Sequence, residues 1–296
     1  MDTLALESFV AVADEASFSR AAERLFVTQP AISKRIAGLE DDLGVALFDR
    51  LGRQLSLTEA GAALLVSARR ILADLNTSRE AILSLSDHVA GRLRLATSHH
   101  IGIHRLPPVL KAFTQRYPEV ELDLLFLDSE AAIEKVVGGD VELAIVTLPE
   151  TEQRSLTNTL IWKDPLVIVA APDHPLVKPA KAKRQPLSSL SEHAAILPNR
   201  NTITRRILFD SLLPHRISIR TALETNYLET IKMLVSVGIG WGVLPASMVD
   251  DTVVEVRLSH LDMQRQLGYA VRNDRTVSRA GNALIDILST HTQTSK

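Results

Sequence analysis

Residues 17 to 57 leave the chain few folds to choose from: SFSRAAERLFVTQPAISKRIAGLEDDLGVALFDRLGRQLSL. Ala21, Ala22 and Leu25 stand at helical spacing, and Phe26 and Val27 break that period. Thr28 is a good N-cap, since its hydroxyl can accept an orphan N–H of the next helix. Pro30 falls in the first turn, where a missing N–H costs nothing. Ile32, Ile36, Leu39 and Leu43 then recur at the spacing of an amphipathic stripe, and Gly44 stops the helix. The stretch therefore predicts two helices joined by a tight turn.

The second helix has an unusual exposed face. Gln29, Pro30, Ser33 and Lys34 lie away from the apolar stripe, and Arg35 makes a basic pair with Lys34. A helix that enters the DNA major groove needs such a face. Small residues permit close approach, amides and cations read base edges, and the helix start favours phosphate. Residues 49 to 57 can form a two-stranded wing tipped by Gly52, with Arg50 and Arg53 positioned to reach phosphates or the minor groove. The bare pattern is also met by a helical hairpin with a solvated polar face. The string itself is more specific. Phe18-Ser19, Ala21-Ala22-Glu23-Arg24-Leu25, Thr28-Gln29-Pro30-Ala31-Ile32-Ser33, Ile36, Leu39-Glu40, Leu43-Gly44, Leu47-Phe48, Arg50, Leu57-Thr58 and Ala60-Gly61 resemble the N-terminal domain of LysR-type transcriptional regulators. Lys34 stands where that family more often has arginine, and an ammonium there would relax bidentate reading of guanine.

The resemblance continues more weakly to the end of the chain. It implies a winged helix-turn-helix at 1–57, a linker and dimerisation helix at 58–90, and an effector domain at 91–296 similar to periplasmic binding proteins. Lobe I would take about 91–161 and 268–296, and lobe II about 162–267. The implied fold class is α/β, preceded by an all-α winged domain. The implied DNA-binding residues are Thr28, Gln29, Pro30, Ser33, Lys34, Arg35, Arg50 and Arg53. Implied partners are double-stranded promoter DNA, further copies of the chain as a dimer and then a tetramer, and RNA polymerase.

Charge argues against this reading before it argues for it. The chain carries a net −2, and residues 1–57 hold six bases against nine acids, a net of −3. DNA affinity must then come from where the bases sit and from doubling them. At 296 residues two or three domains are expected. The absence of cysteine removes disulfides, thiolate metal sites and cysteine redox sensing. The first residues carry acids and no basic stretch, unlike a signal peptide, and no apolar run reaches about 18 residues. A cytoplasmic protein with no membrane partner is expected.

Leu57, Gly61, Leu64, Ala68, Ile71, Leu75, Ser78, Ile82, Leu85 and Val89 alternate steps of four and three with no proline. A helix of that span is roughly 45–50 Å long at about 1.5 Å per residue. Its seam must be covered by a second chain or by its own domain, and the heptad period favours a second chain. Paired chains would present two reading heads to a two-fold-related site.

Beyond Gly91 strands alternate with helices, which implies a parallel, doubly wound arrangement in two small lobes, joined by crossing strands and forming a cleft. Expected strands are 92–97, 120–127, 143–147, 165–171, 195–197, 217–221, 241–244 and 267–271. Expected helices are 104–117, 129–137, 203–213, 227–237 and 280–291, with loops at 98–102 and 178–187. Ligands in such sheets sit beyond the strand carboxyl ends. That rule points to residues 97–100, 128–129, 147–148, 198–202 and 224–226, and among these Ser98, His99, His100, Asp128, Thr147, Thr202 and Asn226 are the effector-binding candidates. The family resemblance assigns Ser98, Thr147 and Thr202 to the effector cleft, although each could merely cap a helix or turn. The effector would be small and polar, with an anionic ligand favoured by hydroxyls at helix starts.

His99, His100 and His104 are close in sequence, but no carboxylate lies within that motif. A polar ligand contact or a helix cap is expected there, with no metal and no cofactor. No GxSxG, HExxH, P-loop or suitable GxGxxG occurs, so no catalytic residue is expected. Two other readings stay open: a cytoplasmic small-molecule-binding or enzymatic α/β protein with an N-terminal protein-contact domain, and a ligand-independent repressor.

Overall fold

The computed structural model describes residues 2–51, 54–83, 89–151, 153–177, 184–259 and 261–293. They divide into two compact units, Met1–His88 with Val137–Asp140, and the remainder. Among the described residues no helix is long and apolar enough to cross a membrane.

The first unit opens with α1 (Thr3–Glu15), α2 (Phe18–Arg24) and α3 (Gln29–Leu43). Asp2 caps α1 by accepting the Ala5 N–H at 2.7 Å, and Ser17 caps α2. Thr28 holds the N-cap backbone of α3 but makes no capping side-chain bond, contrary to the expectation from its type. Gly44 ends α3 in the left-handed region at φ 69°, where a side chain would strain the backbone. Strands β1 (Phe48–Leu51) and β2 (Gln54–Leu57) pair antiparallel as the wing. The Glu40 carboxylate ties the wing to α3 by accepting the Leu47 N–H at 2.7 Å. Phe9, Val12, Ile32, Ile36 and Leu39 make the core, and the Phe48 ring lies between those of Phe9 and Phe18.

Helix α4 (Glu59–Leu83) starts from Thr58, whose hydroxyl accepts the Gly61 N–H and donates to Ala46 O. A Cβ on Gly61 would lie 2.1 Å from Leu47 O, so that approach demands glycine. The expected seam is partly covered within the chain. Ala68 is buried, and Leu57, Leu64 and Ile71 pack against the core of this unit. Leu75 is 47% exposed. Residues 84–88, including Leu85, lie outside the described residues, as do Gly52 and Arg53 at the wing tip.

The second unit is built on one nine-stranded sheet. Strands β3 (Gly91–Thr97), β4 (Val120–Phe126) and β5 (Leu143–Thr147) form a parallel set around β3. Strands β7 (Ala195–Leu197), β8 (Thr221–Glu224) and β9 (Trp241–Pro245) form a second parallel set around β7. Between them run β6 (Leu156–Ala170) and β11 (Met263–Arg272), antiparallel to each other and to their neighbours β9 and β5. The two-residue β10 (Val254–Glu255) pairs with β6. The sheet is therefore mixed: the strands within each lobe run parallel, as expected, and the pair that crosses between the lobes is antiparallel. Two parallel lobes share the antiparallel pair that crosses from one to the other. The pair slips register between Leu267 and Gly268, which stand opposite Trp162 and Leu160.

Helices α5 (His99–His104), α6 (Leu106–Arg116), α7 (Ser129–Gly138) and α10 (Arg279–Gln293) belong to the first lobe, and α8 (Ile203–Leu212) and α9 (Leu228–Ser236) to the second. Trp241 is fully buried at the centre of the second core. Three expectations fail locally. The loop at 98–102 is the start of α5, begun by an extended Ser98 and a Gly102 N–H to Ser98 O bond of 2.9 Å. The strand expected at 217–221 falls at Thr221–Glu224, where β7 offers a ladder. Ile217 and Ile219 alternate because they pack on the core without pairing. The strand expected at 165–171 starts at Leu156, because its polar half pairs with β11. In the loop expected at 178–187, residues 178–183 lie outside the described residues, and Leu187–Glu192 forms a 3-10 helix.

Candidate DNA-reading face and effector cavity

In the first unit, Thr28, Gln29, Pro30 and Lys34 are exposed along the first turns of α3, and Ser33 is half-buried beside them. Gln29 Nε2 donates to Ser33 Oγ at 2.9 Å, one turn on. This pair offers an amide and a hydroxyl together, as base-edge readers do. Arg35 behaves differently. Its Nη1 donates to Ser8 Oγ on α1 at 3.2 Å, so part of its hydrogen-bonding capacity is used inside the fold. The Arg50 backbone lies in β1. Phe26, in the turn between α2 and α3, is left-handed at φ 55° and 96% exposed.

In the second unit, a narrow cavity lies between the lobes and brings together all seven residues selected from the sequence: Ser98, His99, His100, Asp128, Thr147, Thr202 and Asn226. Each sits where a strand gives way to a helix or turn. Ser98 holds the N-cap position of α5 and makes no capping bond through its hydroxyl. Thr202 caps α8, accepting the Arg205 N–H at 3.3 Å and donating to Asn199 O at 2.9 Å. Thr202 thus has a helix-capping duty whatever else it does. Thr147 is buried, and its N–H donates to Ser129 Oγ at 3.1 Å.

Several contacts tie the lobes across this cavity. Asn226 Nδ2 donates to Asp128 Oδ2 at 2.6 Å. The Ile203 N–H at the start of α8 donates to Glu130 Oε1 at 2.8 Å. The helix start therefore already faces a carboxylate, which its free N–H groups favour. The His99 ring meets the Tyr227 ring edge-on at 4.7 Å. His104 Nε2 lies 2.9 Å from Glu229 Oε1.

The cavity floor holds residues that strand-end reasoning missed. Arg265 on β11 lines the cavity and pairs in register with Asp164 on β6. Its Nη2 and Nε donate to Asp164 Oδ2 at 2.5 and 3.0 Å, and its Nη1 donates to Thr204 Oγ1 at 3.1 Å. Arg105 adds a longer contact to Asp164 Oδ1 at 3.5 Å. Asp164 is 1% and Arg265 5% exposed. The signal was present in the sequence. Met263, Arg265 and Leu267 share the buried face of β11, so a cation occupies an apolar register. His100 is 5% exposed. Burial, aided by the nearby Arg265 charge, lowers its pKa to about 4. It therefore meets the cavity as a neutral imidazole at physiological pH.

Residues 4–62 match the family model of the bacterial regulatory helix-turn-helix protein, lysR family, and residues 86–293 match that of the LysR substrate binding domain. A probable RuBisCO transcriptional regulator of Thalassiosira pseudonana is 31% identical over 93% of this chain and 92% of its own. A full-length OxyR variant from Pseudomonas aeruginosa superposes with a TM-score of 0.74 at 25% identity, covering 99% of this chain and 95% of that one. The Synechocystis PCC6803 CcmR regulatory domain, solved in complex with 2-PG, covers 69% of this chain and 99% of that chain, with a TM-score of 0.62 and 25% identity.

Proposed function

Because the chain belongs to the LysR family of transcriptional regulators, we propose that it reads promoter DNA through α3 and the wing and answers to a small polar effector between its lobes. It is a regulator and not an enzyme. In this reading residues 1–57 bind DNA, 58–90 pair two chains, and 91–296 sense the effector. Gln29, Ser33 and Lys34 read bases. Thr28, Arg50 and Arg53 hold phosphates, with Arg35 a weaker contributor because of its bond to Ser8. The protein works in the cytoplasm as a dimer or tetramer and acts on RNA polymerase at its promoter.

The observation that carries the sensing half is the convergence of Ser98, Thr147, Thr202 and Arg265 on one interlobe cavity. Hydroxyl donors suit a small polar ligand, and an anionic group on it would compete with Asp164 for Arg265 and with Glu130 for the start of α8. The complex of the CcmR regulatory domain with 2-PG supports a small ligand in a domain of this kind. A ligand that touches both lobes has different contacts when they separate, which is what a population shift requires. A thermal-shift screen of small organic anions on the full chain would find the ligand, and calorimetry on Ser98→Ala would place it. Ser98 is a cleaner probe than Thr202, because its hydroxyl has no capping bond to lose. Loss of that donor should weaken the ligand by about 0.5–1.5 kcal/mol while DNA binding survives. Unchanged affinity would remove Ser98 from the site. For the DNA half, a gel shift against upstream DNA should show a steep salt slope from phosphate contacts, and a flat slope would favour the protein-contact alternative.

A further inference from the structure

Beside the cavity, His100, His104 and Glu229 form a cluster of which the effector reading uses only His100. His100 and His104 lie one turn apart on α5, with ring centroids 4.8 Å apart. Two histidines at this spacing on one helical face can share a metal ion. The carboxylate missing from their sequence motif comes from the other lobe. Glu229, in the first turn of α9, brings Oε1 to 2.9 Å from His104 Nε2 and 4.0 Å from His100 Nδ1. One ligand atom from each residue lies within 4.8 Å of the other two.

We propose that His100, His104 and Glu229 bind a divalent transition-metal ion, zinc or a close congener, that clasps the two lobes together. His100 carries the argument. It is 5% exposed, and among the described residues neither ring nitrogen has a hydrogen-bond partner. A buried polar group without a partner is rare in folded proteins and asks for an explanation. His104 and Glu229 are partly exposed and give the ion a way in from solvent. Two imidazoles and one carboxylate suit zinc, nickel or cobalt rather than calcium or magnesium, which prefer oxygen. Metal–ligand bonds of about 2.0–2.2 Å require the three side chains to draw together slightly, and both surface residues can rotate to do so. A fourth position remains for water. The nearby Arg265 charge opposes a cation, but Asp164 is bonded directly to it and offsets that charge. The site shares only His100 with the effector contacts. A failed metal titration would leave the effector reading intact, and a failed effector screen would leave this one intact.

The test is a titration of the full chain, free of any affinity tag, with cobalt followed by visible absorption, and then with zinc by calorimetry. One saturable site per chain is expected, with the intense band of four-coordinate cobalt. Glu229→Gln and His104→Asn should each weaken it by about 10-fold or more. His174→Gln should leave it unchanged, since His174 and His193 pair elsewhere in the second lobe. A metal-free melt of each variant separates ligand loss from unfolding. Absence of a saturable site, or a site unaffected by both Glu229→Gln and His104→Asn, would overturn the proposal. So would its loss in His174→Gln alone.

Discussion

Replacing Arg265 by methionine tests how the cavity floor is held. The variant keeps most of the side-chain volume and removes the guanidinium. Asp164 is then left 1% exposed and without the guanidinium that donates two hydrogen bonds to its Oδ2. A buried carboxylate stripped of its counter-charge costs about 3–5 kcal/mol. The loss of the bond to Thr204 Oγ1 adds roughly 1 kcal/mol. Arg105, 3.5 Å from Asp164 Oδ1 and half-buried, offsets part of this. The net cost should therefore be about 3 kcal/mol. Both tryptophans of the chain, Trp162 and Trp241, lie in this unit, so urea unfolding followed by tryptophan fluorescence reports it without the DNA-binding unit. The double variant Asp164→Leu, Arg265→Met should recover most of the loss, because apolar replacement of a buried ion pair is often neutral or stabilising. A cost below about 1 kcal/mol for the single variant, or no recovery in the double, would refute the view that this pair is a mutually dependent buried unit.

Lys34→Ala should lose about 1–3 kcal/mol at one operator base pair in a competition gel shift, and an equal loss on every sequence would make Lys34 a phosphate contact instead. Leu75→Asp places a charge at an exposed apolar site on α4 and should lower the oligomer mass in light scattering without lowering the melting temperature of the monomer. An unchanged mass would mean that α4 is satisfied within its own chain. His174 has a lowered pKa, first because burial disfavours its charge and then because His193 lies beside it, and its Nδ1 accepts the Leu176 N–H at 3.2 Å. The unfolded chain therefore takes up this proton more readily than the folded one, so His174 makes stability fall as pH drops below about 6.5. His174→Gln should flatten that part of the fluorescence-monitored stability profile, and an unchanged slope would exclude His174 as its source.

Much of the DNA-reading unit was legible because its signals are local. A left-handed glycine and a four-three apolar rhythm act within one or two turns, and α2, α3 and the paired strands of the wing formed where they were expected. The cavity residues were legible for a different reason, since strand ends collect ligand groups in any α/β sheet. What escaped depended on distance. Asp164 and Arg265 are 101 positions apart, and nothing at either position names the other. Glu229 stands 125 positions from His104, so the histidine motif alone shows no carboxylate. The polar half of β6 concealed a strand because its ladder partner lies a hundred residues on. The α4 seam was recognised, but periodicity cannot say which surface covers it.

The register slip where β6 faces β11 also has a mechanical meaning. A sheet with unbroken ladders resists bending like a plate, because any fold must stretch a whole row of hydrogen bonds. Between the Gly268–Leu160 and Leu267–Trp162 pairings that row is already interrupted, and an interruption of this type bends the strand and raises its twist. Such a break would let the sheet crease at one line between its two parallel sets. Gly268 sits on the crease against Thr159, where an added Cβ would lie 2.0 Å from the carbonyl oxygen. Rotation of one lobe against the other would concentrate on that line, with each ladder beyond it moving as a stiff leaf. Groups far from a crease travel further than groups close to it for the same angle. A rotation of a few degrees would therefore leave the Asp164–Arg265 pair, within a few residues of the fold line, nearly undisturbed while parting contacts such as His104–Glu229.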